Sequence, residues 1–373
     1  MKIVIDANIP LGDAFFSTVG EVLAVPPREI AKEHLRNADA LVVRSVKTID
    51  ADLLANTSVK FVGTCTAGFD HLDTKGIEAL GIHWCNAPGC NANSVVEYVV
   101  SAMCALNLDW LQAKIGIVGC GNVGGLLHRR LSDLGVNCCC FDPFLTLGQN
   151  SDLGPLENIF DCDIVCLHTP YTTTGRFPSH HLFNAENLSN LKRGAVLINA
   201  GRGGVVDNLS LLDLLQQRAD LRCVLDVWEQ EPNLNDQLLE QVNLGTPHIA
   251  GHSIDGKMKG TAMIYSALCQ YFNLQEQCRL GDLDTPPQLQ DIVLGHASVN
   301  TSISEAVLSA YDIRKDSEAL RQSIATTKNA AASFDQLRKN YPERREFYHY
   351  RVKLAEANSA LSQTLSALGF GVN

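Results

Sequence analysis

KIGIVGCGNVGGLLHRRLSDLGVNCCCFD, residues 114–142, reads as strand, glycine turn, helix, strand and a closing acid. The apolar run Ile115 to Val118 predicts a buried parallel strand, and Gly119, Gly121 and Gly124 fall at the G-x-G-x-x-G spacing. Gly119 permits a tight turn, Gly121 lets the backbone approach a pyrophosphate, and Gly124 lets the new helix pack closely on the sheet. The free N–H groups and macrodipole of that helix favour phosphates without any lysine. Leu126, Leu127, Leu131 and Leu134 give the helix its apolar residues, Gly135 ends it, and Val136 to Phe141 supplies the next strand. Asp142 follows 23 residues after Gly119. There a carboxylate accepts hydrogen bonds from an adenosine ribose and repels a 2′-phosphate, so the expected cofactor is NAD rather than NADP.

Composition narrows the class. A chain of 373 residues has room for two or three domains, and 46% hydrophobic against 19% charged residues marks it as globular. The net charge of −11 argues against a nucleic-acid surface, which needs clustered Lys and Arg. Thirteen cysteines lie in apolar strands, as at Cys138-Cys139-Cys140, rather than at the spacings of a stapled domain. They read as reduced thiols of a cytoplasmic protein. No pair of C-x-x-C motifs calls for zinc, and no metal is expected. The opening MKIVIDANIP resembles a first strand and turn rather than a signal peptide, and no apolar run is long enough to span a membrane.

Strands are predicted at Ile3 to Ile5, Ala40 to Val43 and Phe61 to Val62, which makes an α/β unit ahead of the cofactor unit. Asn93 to Leu106 reads as a helix leading into the latter. Further strands at Ile164 to Leu167, Val196 to Asn199, Cys223 to Leu225 and near Asn243 to Leu244 complete a doubly wound parallel sheet. The helical stretch Gly256 to Phe272 has no strand of its own and is read as returning to the first unit. Pro286-Pro287 marks a boundary, after which a strand-like start, a helix near Ser304 to Tyr311 and FDQLRKNYPERREF suggest a third small α/β domain. The expected division is 1–93 with 251–280, then 94–250, then 285–373.

Three polar residues follow predicted strands: Arg202 in AGRGGVVD, Glu231 in LDVWEQEP and His248 in TPHIAG. Ligands of open α/β sheets bind beyond the carboxyl ends of the strands, so all three can converge on one crevice. A guanidinium holds a carboxylate by two-point contact and polarises the neighbouring oxygen. An imidazole takes a hydroxyl proton as hydride leaves the same carbon, and a carboxylate fixes its tautomer and favours its charged form.

In order, GxGxxG, Asp142, HTP, NAGRGGVVD, DVWEQEP and PHIAG resemble the D-2-hydroxyacid dehydrogenase family over roughly the first three quarters of the chain. VVRSV, TCTAGFDHLD, APGCNANSVVEYV, YDIRKDSEALR and FDQLRKNYPERREF resemble one branch of it, which acts on a phosphorylated 2-hydroxy acid. The resemblance implies a Rossmann cofactor domain, a discontinuous flavodoxin-like substrate domain and a C-terminal domain that pairs two subunits. It implies Arg202 and Glu231 as catalytic residues and His248 as the proton donor or acceptor. Thr169, Ala200, Gly201, Asp226 and Gly251 join Asp142 at cofactor positions, and Asn122 and Val123 touch the pyrophosphate through their backbone. Ser45 and Thr66 fall on substrate positions, as does His252, where the family pattern has a tyrosine. Both of those rings donate hydrogen bonds. For the substrate phosphate two candidates stand open: Arg44, and the basic run Arg338, Lys339, Arg344 and Arg345. A related dehydrogenase of 3-phosphoglycerate and an NADH-sensing scaffold are the competing readings.

Overall fold

A computed structural model describes residues 1–283, 290–295, 298–327, 329–356 and 358–373. The chain divides into two compact units, Met1–Asn91 with His252–Pro287, and Ala92–Gly251 with Gln288–Asn373. Pro286-Pro287, the boundary expected from sequence, lies outside the described residues. Among the described residues no helix is long and apolar enough to cross a membrane.

The first unit is built on β1 (Lys2–Asp6), β2 (Glu21–Val25), β3 (Ala40–Val43), β4 (Phe61–Thr64) and β5 (His83–Cys85). All pair in parallel in the order β2-β1-β3-β4-β5, which is flavodoxin-like. Alternate residues serve opposite layers: Ile3, Ile5, Val42 and Phe61 pack with Ile264, Tyr265 and Leu268 of the helix Ile254–Tyr271. Val4, Leu41, Val43 and Val62 fill the other face. A sheet covered on both sides needs unbroken apolar runs, which is why its central strands were readable. β2 and β5 were not expected; they are the edges, and their sequences EVLAV and HWC are short and partly polar.

The second unit holds β6 (Ile115–Val118), β7 (Cys138–Phe141), β8 (Ile164–Leu167), β9 (Val196–Asn199), β10 (Arg222–Leu225) and β11 (Leu244–Gly245). These are parallel in the order β11-β10-β9-β8-β6-β7. The chain moves outward from β6 to β7 and resumes on the other side at β8, so a topological switch point lies between β6 and β8. β7 starts at Cys138 rather than Val136, because the Val136 N–H donates to Leu131 O (3.0 Å) in closing the preceding helix. Its outer edge carries a rudimentary seventh strand, with Cys140 paired to Leu153.

Later in the chain, β12 (Gln290–Val293), β13 (Tyr350–Lys353) and β14 (Gly371–Val372) form a separate parallel sheet in chain order. The helix expected near Ser304 to Tyr311 runs from Val299 to Ala310, begun by Ser298, whose Oγ accepts from the Thr301 N–H (3.3 Å). FDQLRKNYPERREF is helical only as far as Lys339. This segment has its own sheet but shares a core with the rest of its unit. Ile303, Val307, Val352, Leu365 and Phe370 sit in one cluster with Val96, Val99 and Met103 of the helix Ala92–Ala105 and with Ile115 and Ile117 of β6.

A polar network crosses the same junction. Glu97 is fully buried, and its Oε1 accepts from Asn93 Nδ2 (2.9 Å) and the Phe347 N–H (2.8 Å). Burial and the neighbouring Glu346 carboxylate push its pKa up to about 8, against the pull of Arg344, the Phe347 N–H and Arg130. An unfolded glutamate releases its proton near 4.5, so the stability tied to Glu97 is complete below that value and is lost as the pH rises through about 8. Glu97→Gln, which has the shape of the protonated form, is expected to match the parent near about pH 5 and to melt several degrees higher near about pH 9. Superimposable melting curves at the higher pH would overturn the assignment.

Candidate active site

β9, β10 and β11 end in register, with Asn199 opposite Leu225 and Leu225 opposite Gly245. Arg202, Glu231 and His248 occupy the loops that leave these three adjacent ends. Asn199 is buried and shapes the first loop: its Oδ1 accepts from the Gly201 N–H (3.1 Å) and its Nδ2 donates to Arg202 O (3.1 Å). Arg202 is half-buried and extended, and its Nη1 donates to Gly201 O (2.9 Å).

Asp226, just past β10, organises the third loop. Its carboxylate accepts from Thr246 Oγ1 (2.7 Å) and from the N–H groups of Ile249 (2.7 Å) and Ala250 (2.9 Å), and its carbonyl accepts from the His248 N–H (2.7 Å). Four bonds thus hold His248 at φ 55°, a left-handed conformation rare outside glycine. His248 Nδ1 is directly hydrogen-bonded to Glu231 Oε1, and Glu231 Oε2 accepts from the Trp228 N–H (3.2 Å). Burial opposes ionisation of Glu231, but the bond and charge of His248, the Trp228 N–H and the Arg338 charge outweigh it and hold the carboxyl below its ordinary range. The two side chains are 28% and 26% exposed, so the pair is anchored from within and open on one side. With Nδ1 committed to a carboxylate, Nε2 is the nitrogen left for a substrate proton.

Glu229 links the first two loops. It accepts from the Asn208 N–H (3.2 Å), its own N–H donates to Asn208 Oδ1 (3.0 Å), and its Oε1 lies 2.6 Å from His181 Nε2. His181, Asp207 and Glu229 form a cluster of metal-capable side chains that the sequence did not suggest. In this structure His181 is hydrogen-bonded to Glu229, and the Asp207 carboxylate lies 3.9 Å from His181 Nδ1.

The glycine turn after β6 meets the physical demands of its motif. Gly119 has φ +84°, and a Cβ on it would lie 2.9 Å from the Thr169 amide nitrogen. A Cβ on Gly124 would lie 1.9 Å from Gly119 O, whereas one on Gly121 would meet nothing within 4 Å. The middle glycine therefore faces open space, where a pyrophosphate would approach. Gly201 would also press on Thr169, its Cβ 3.0 Å from Thr169 O, so Gly119, Thr169 and Gly201 meet backbone to backbone. Asn122 and Val123 open the helix Asn122–Asp133, whose N-cap, Gly121, supplies no side-chain cap. Among the described residues, Thr169 Oγ1 and both ring nitrogens of His168 are buried without hydrogen-bond partners. Burial pushes the His168 pKa down to about 4 and keeps the ring neutral. Unspent polar atoms beside an open glycine turn fit a dinucleotide. His168 was not assigned from sequence, although the HTP motif contains it. Asp142 Oδ2 accepts from the Cys120 N–H (2.9 Å) and Oδ1 from the Phe144 N–H (3.0 Å), which leaves lone pairs for a ribose.

Ser45, Thr66 and His252 belong to the first unit. Ser45 is exposed beyond β3, and Thr66, beyond β4, donates to Gly68 O (2.7 Å) and pairs with Thr64 Oγ1 (2.8 Å). Ala200 and Gly251 lie in the second unit, at the end of β9 and the end of its first segment. The basic run expected as a phosphate candidate is dispersed. Arg344 is buried over the Tyr311 ring (3.8 Å), Arg345 bonds to His349 Nε2 (2.7 Å), and Arg338 lies over Phe334 (5.9 Å). Burial among carbonyl and aromatic partners takes Arg344 out of any anion-binding face.

Residues 102–250 match the family model described as D-isomer specific 2-hydroxyacid dehydrogenase, NAD binding domain, and residues 284–369 match a domain of unknown function. The chain is 50% identical to an erythronate-4-phosphate dehydrogenase of Cellvibrio japonicus, covering 99% of each chain. It is 43% identical to one of Teredinibacter turnerae, covering 100% of this chain and 99% of that one. Among solved structures, NAD+-bound 3-phosphoglycerate dehydrogenase of Entamoeba histolytica has a TM-score of 0.63 at 24% identity, over 73% of this chain and 95% of the other. A D-lactate dehydrogenase of Aquifex aeolicus has a TM-score of 0.60 at 20% identity, over 73% and 95%.

The glycine geometry can be tested alone. Gly124→Ala must push its helix away from Gly119 O and is expected to weaken NADH binding about tenfold or more in a fluorescence titration. Unchanged affinity would show that the turn does not carry the pyrophosphate.

Proposed function

The chain belongs to the erythronate-4-phosphate dehydrogenases, within the D-isomer specific 2-hydroxyacid dehydrogenases, and we propose that it oxidises 4-phospho-D-erythronate at C2 with NAD. The product is (R)-3-hydroxy-2-oxo-4-phosphooxybutanoate, and the step belongs to pyridoxal 5′-phosphate (vitamin B6) synthesis. The observation that carries the reading is the Glu231–His248 hydrogen bond on loops beside that of Arg202.

NAD, when bound, would supply the acceptor for the hydride that leaves C2. Arg202 holds the substrate carboxylate with its planar fork and draws electron density from the C2 oxygen. His248 Nε2 takes the C2 hydroxyl proton, and Glu231, kept ionised by its partner, stabilises the imidazolium that forms. In reduction of the 2-oxo acid the same nitrogen returns the proton. Gly119, Gly121, Asn122, Val123, Gly124, Asp142, Thr169, Ala200, Gly201, Asp226 and Gly251 serve the cofactor. Asp226 does so through the loop it organises, since its carboxylate is buried and spent on that loop. Ser45, Thr66 and His252 serve the substrate, with Arg44 beside Ser45 as the cation for its phosphate.

The thirteen free cysteines, eleven of them buried, fit a reducing cytoplasm. Segment 285–373 is read as the element that pairs two copies of the chain. Its edge strand β12 has Val293 71% exposed, which supports that reading. Removing the segment would uncover the core it shares with β6, so a point change is the cleaner probe. Light scattering is expected to give twice 40.6 kDa for the parent and the single-chain mass for Val293→Arg. A parent of single-chain mass would refute the pairing.

Spectrophotometric comparison of 4-phosphoerythronate with 3-phosphoglycerate tests the activity itself. Clear preference for the former is expected, and His248→Asn should lower its turnover by about 10²- to 10⁴-fold with NADH affinity nearly unchanged. Preference for 3-phosphoglycerate would reassign the substrate. NADH binding with no turnover of either acid would favour a sensor.

A further inference from the structure

Arg344 is 6% exposed and comes from the C-terminal segment, yet it bonds to neither of the carboxylates nearest it in the network. Its Nη1 donates to Ala250 O (3.2 Å) and its Nη2 donates to Ser94 O. Ser94 is the third residue of the second unit after the first chain crossing, and Ala250 is the last but one before the second crossing. One guanidinium therefore ties together the two stretches by which the chain enters and leaves the cofactor sheet. Its plane lies on the Tyr311 ring at 3.8 Å. Glu97, Asp316, Tyr311 and Tyr341 surround it and keep it charged despite burial. Asp316 accepts from the hydroxyls of both tyrosines, each at 2.8 Å, so the platform is itself fixed.

Burying a cation is costly before compensation, and apolar packing would stabilise the junction as well or better. What a fork adds is geometry, because two carbonyls are held at a set separation and angle. Ala250 is gripped through both of its peptide groups: its N–H donates to Asp226 and its carbonyl accepts from Arg344. Two residues earlier lies His248, at φ 55°, a conformation that persists only where the surroundings over-determine it.

We propose that Arg344 is a positioning residue for the reaction: through the Ala250 carbonyl it sets the backbone that aims His248, so the C-terminal segment takes part in active-site geometry. The inference rests on the reading of His248 as the proton-transfer group. A backbone displacement of about 1 Å is enough to cost about a hundredfold in rate.

Arg344→Lys keeps the charge but lacks the fork, and it is compared with His248→Asn in the full-length chain. The lysine variant is expected to fold, to lose about tenfold to a hundredfold in kcat, and to keep KM and NADH affinity within about threefold. Its pH profile of kcat is expected to shift, because the contact between Nδ1 and Glu231 is altered. A folded variant with the parent kcat and profile, even one of lower melting temperature, overturns the proposal. Should the lysine variant not fold, Tyr311→Leu removes the platform while keeping the Arg344 donors, and the same two readings decide. Failure of the underlying reading looks different, since His248→Asn would then itself retain turnover.

Discussion

Asp226 carries a carboxylate that is 1% exposed, and the loop after β11 closes around it. A carboxylate taken out of water needs hydrogen bonds on most of its lone pairs, and here the loop from Thr246 to Ala250 supplies them. Burial pushes its pKa up, while the His248 charge, the Thr246 hydroxyl and the two N–H groups pull it down. Tyr98 extends the arrangement by donating to Thr246 Oγ1 (2.7 Å), whose own proton goes to Asp226. His248 is thereby forced into left-handed backbone, which brings its ring to Glu231.

Strained backbone and unsatisfied buried atoms both occur at the candidate site. Gln230, next to Glu231, and His248 itself both adopt positive φ, at 64° and 55°. Their cost, of order 1–3 kcal/mol each, is borne by the buried strands β9 to β11, which fix where each loop begins. The cofactor side works by omission: glycines leave space, and the buried polar atoms of His168 and Thr169 lack partners among the described residues. Filling that space completes hydrogen bonds already desolvated by the fold, so binding does not have to strip them of water again.

Legibility followed the range of the interactions. The strand, turn and helix around Gly119 could be read because burial on both faces demands the run Ile115 to Val118, and close contact demands glycine at 124. β2 and β5 escaped because edge strands bury less and need no such run. His168 escaped because nothing next to it in sequence announces that its ring nitrogens are shut away from water. In the sequence Arg344 belongs with Arg338, Lys339 and Arg345 to a basic run. Its partners Ser94 and Ala250 are far off along the chain, and only folding turns a run of charges into one buried fork and three separate side chains.

By itself the sequence determined the class of fold, the dinucleotide turn and the NAD cofactor, and it offered Arg202, Glu231 and His248 as candidates, since each follows from local periodicity, steric need or the chemistry of one side chain. Tertiary structure alone decided that Glu231 and His248 touch, that Asp226 is spent on a loop rather than offered to a ligand, and that the C-terminal segment reaches the backbone beside His248. Such contacts join residues that share no local pattern. They exist only because parallel strands in register bring distant loops to one edge, where desolvation makes every hydrogen bond count.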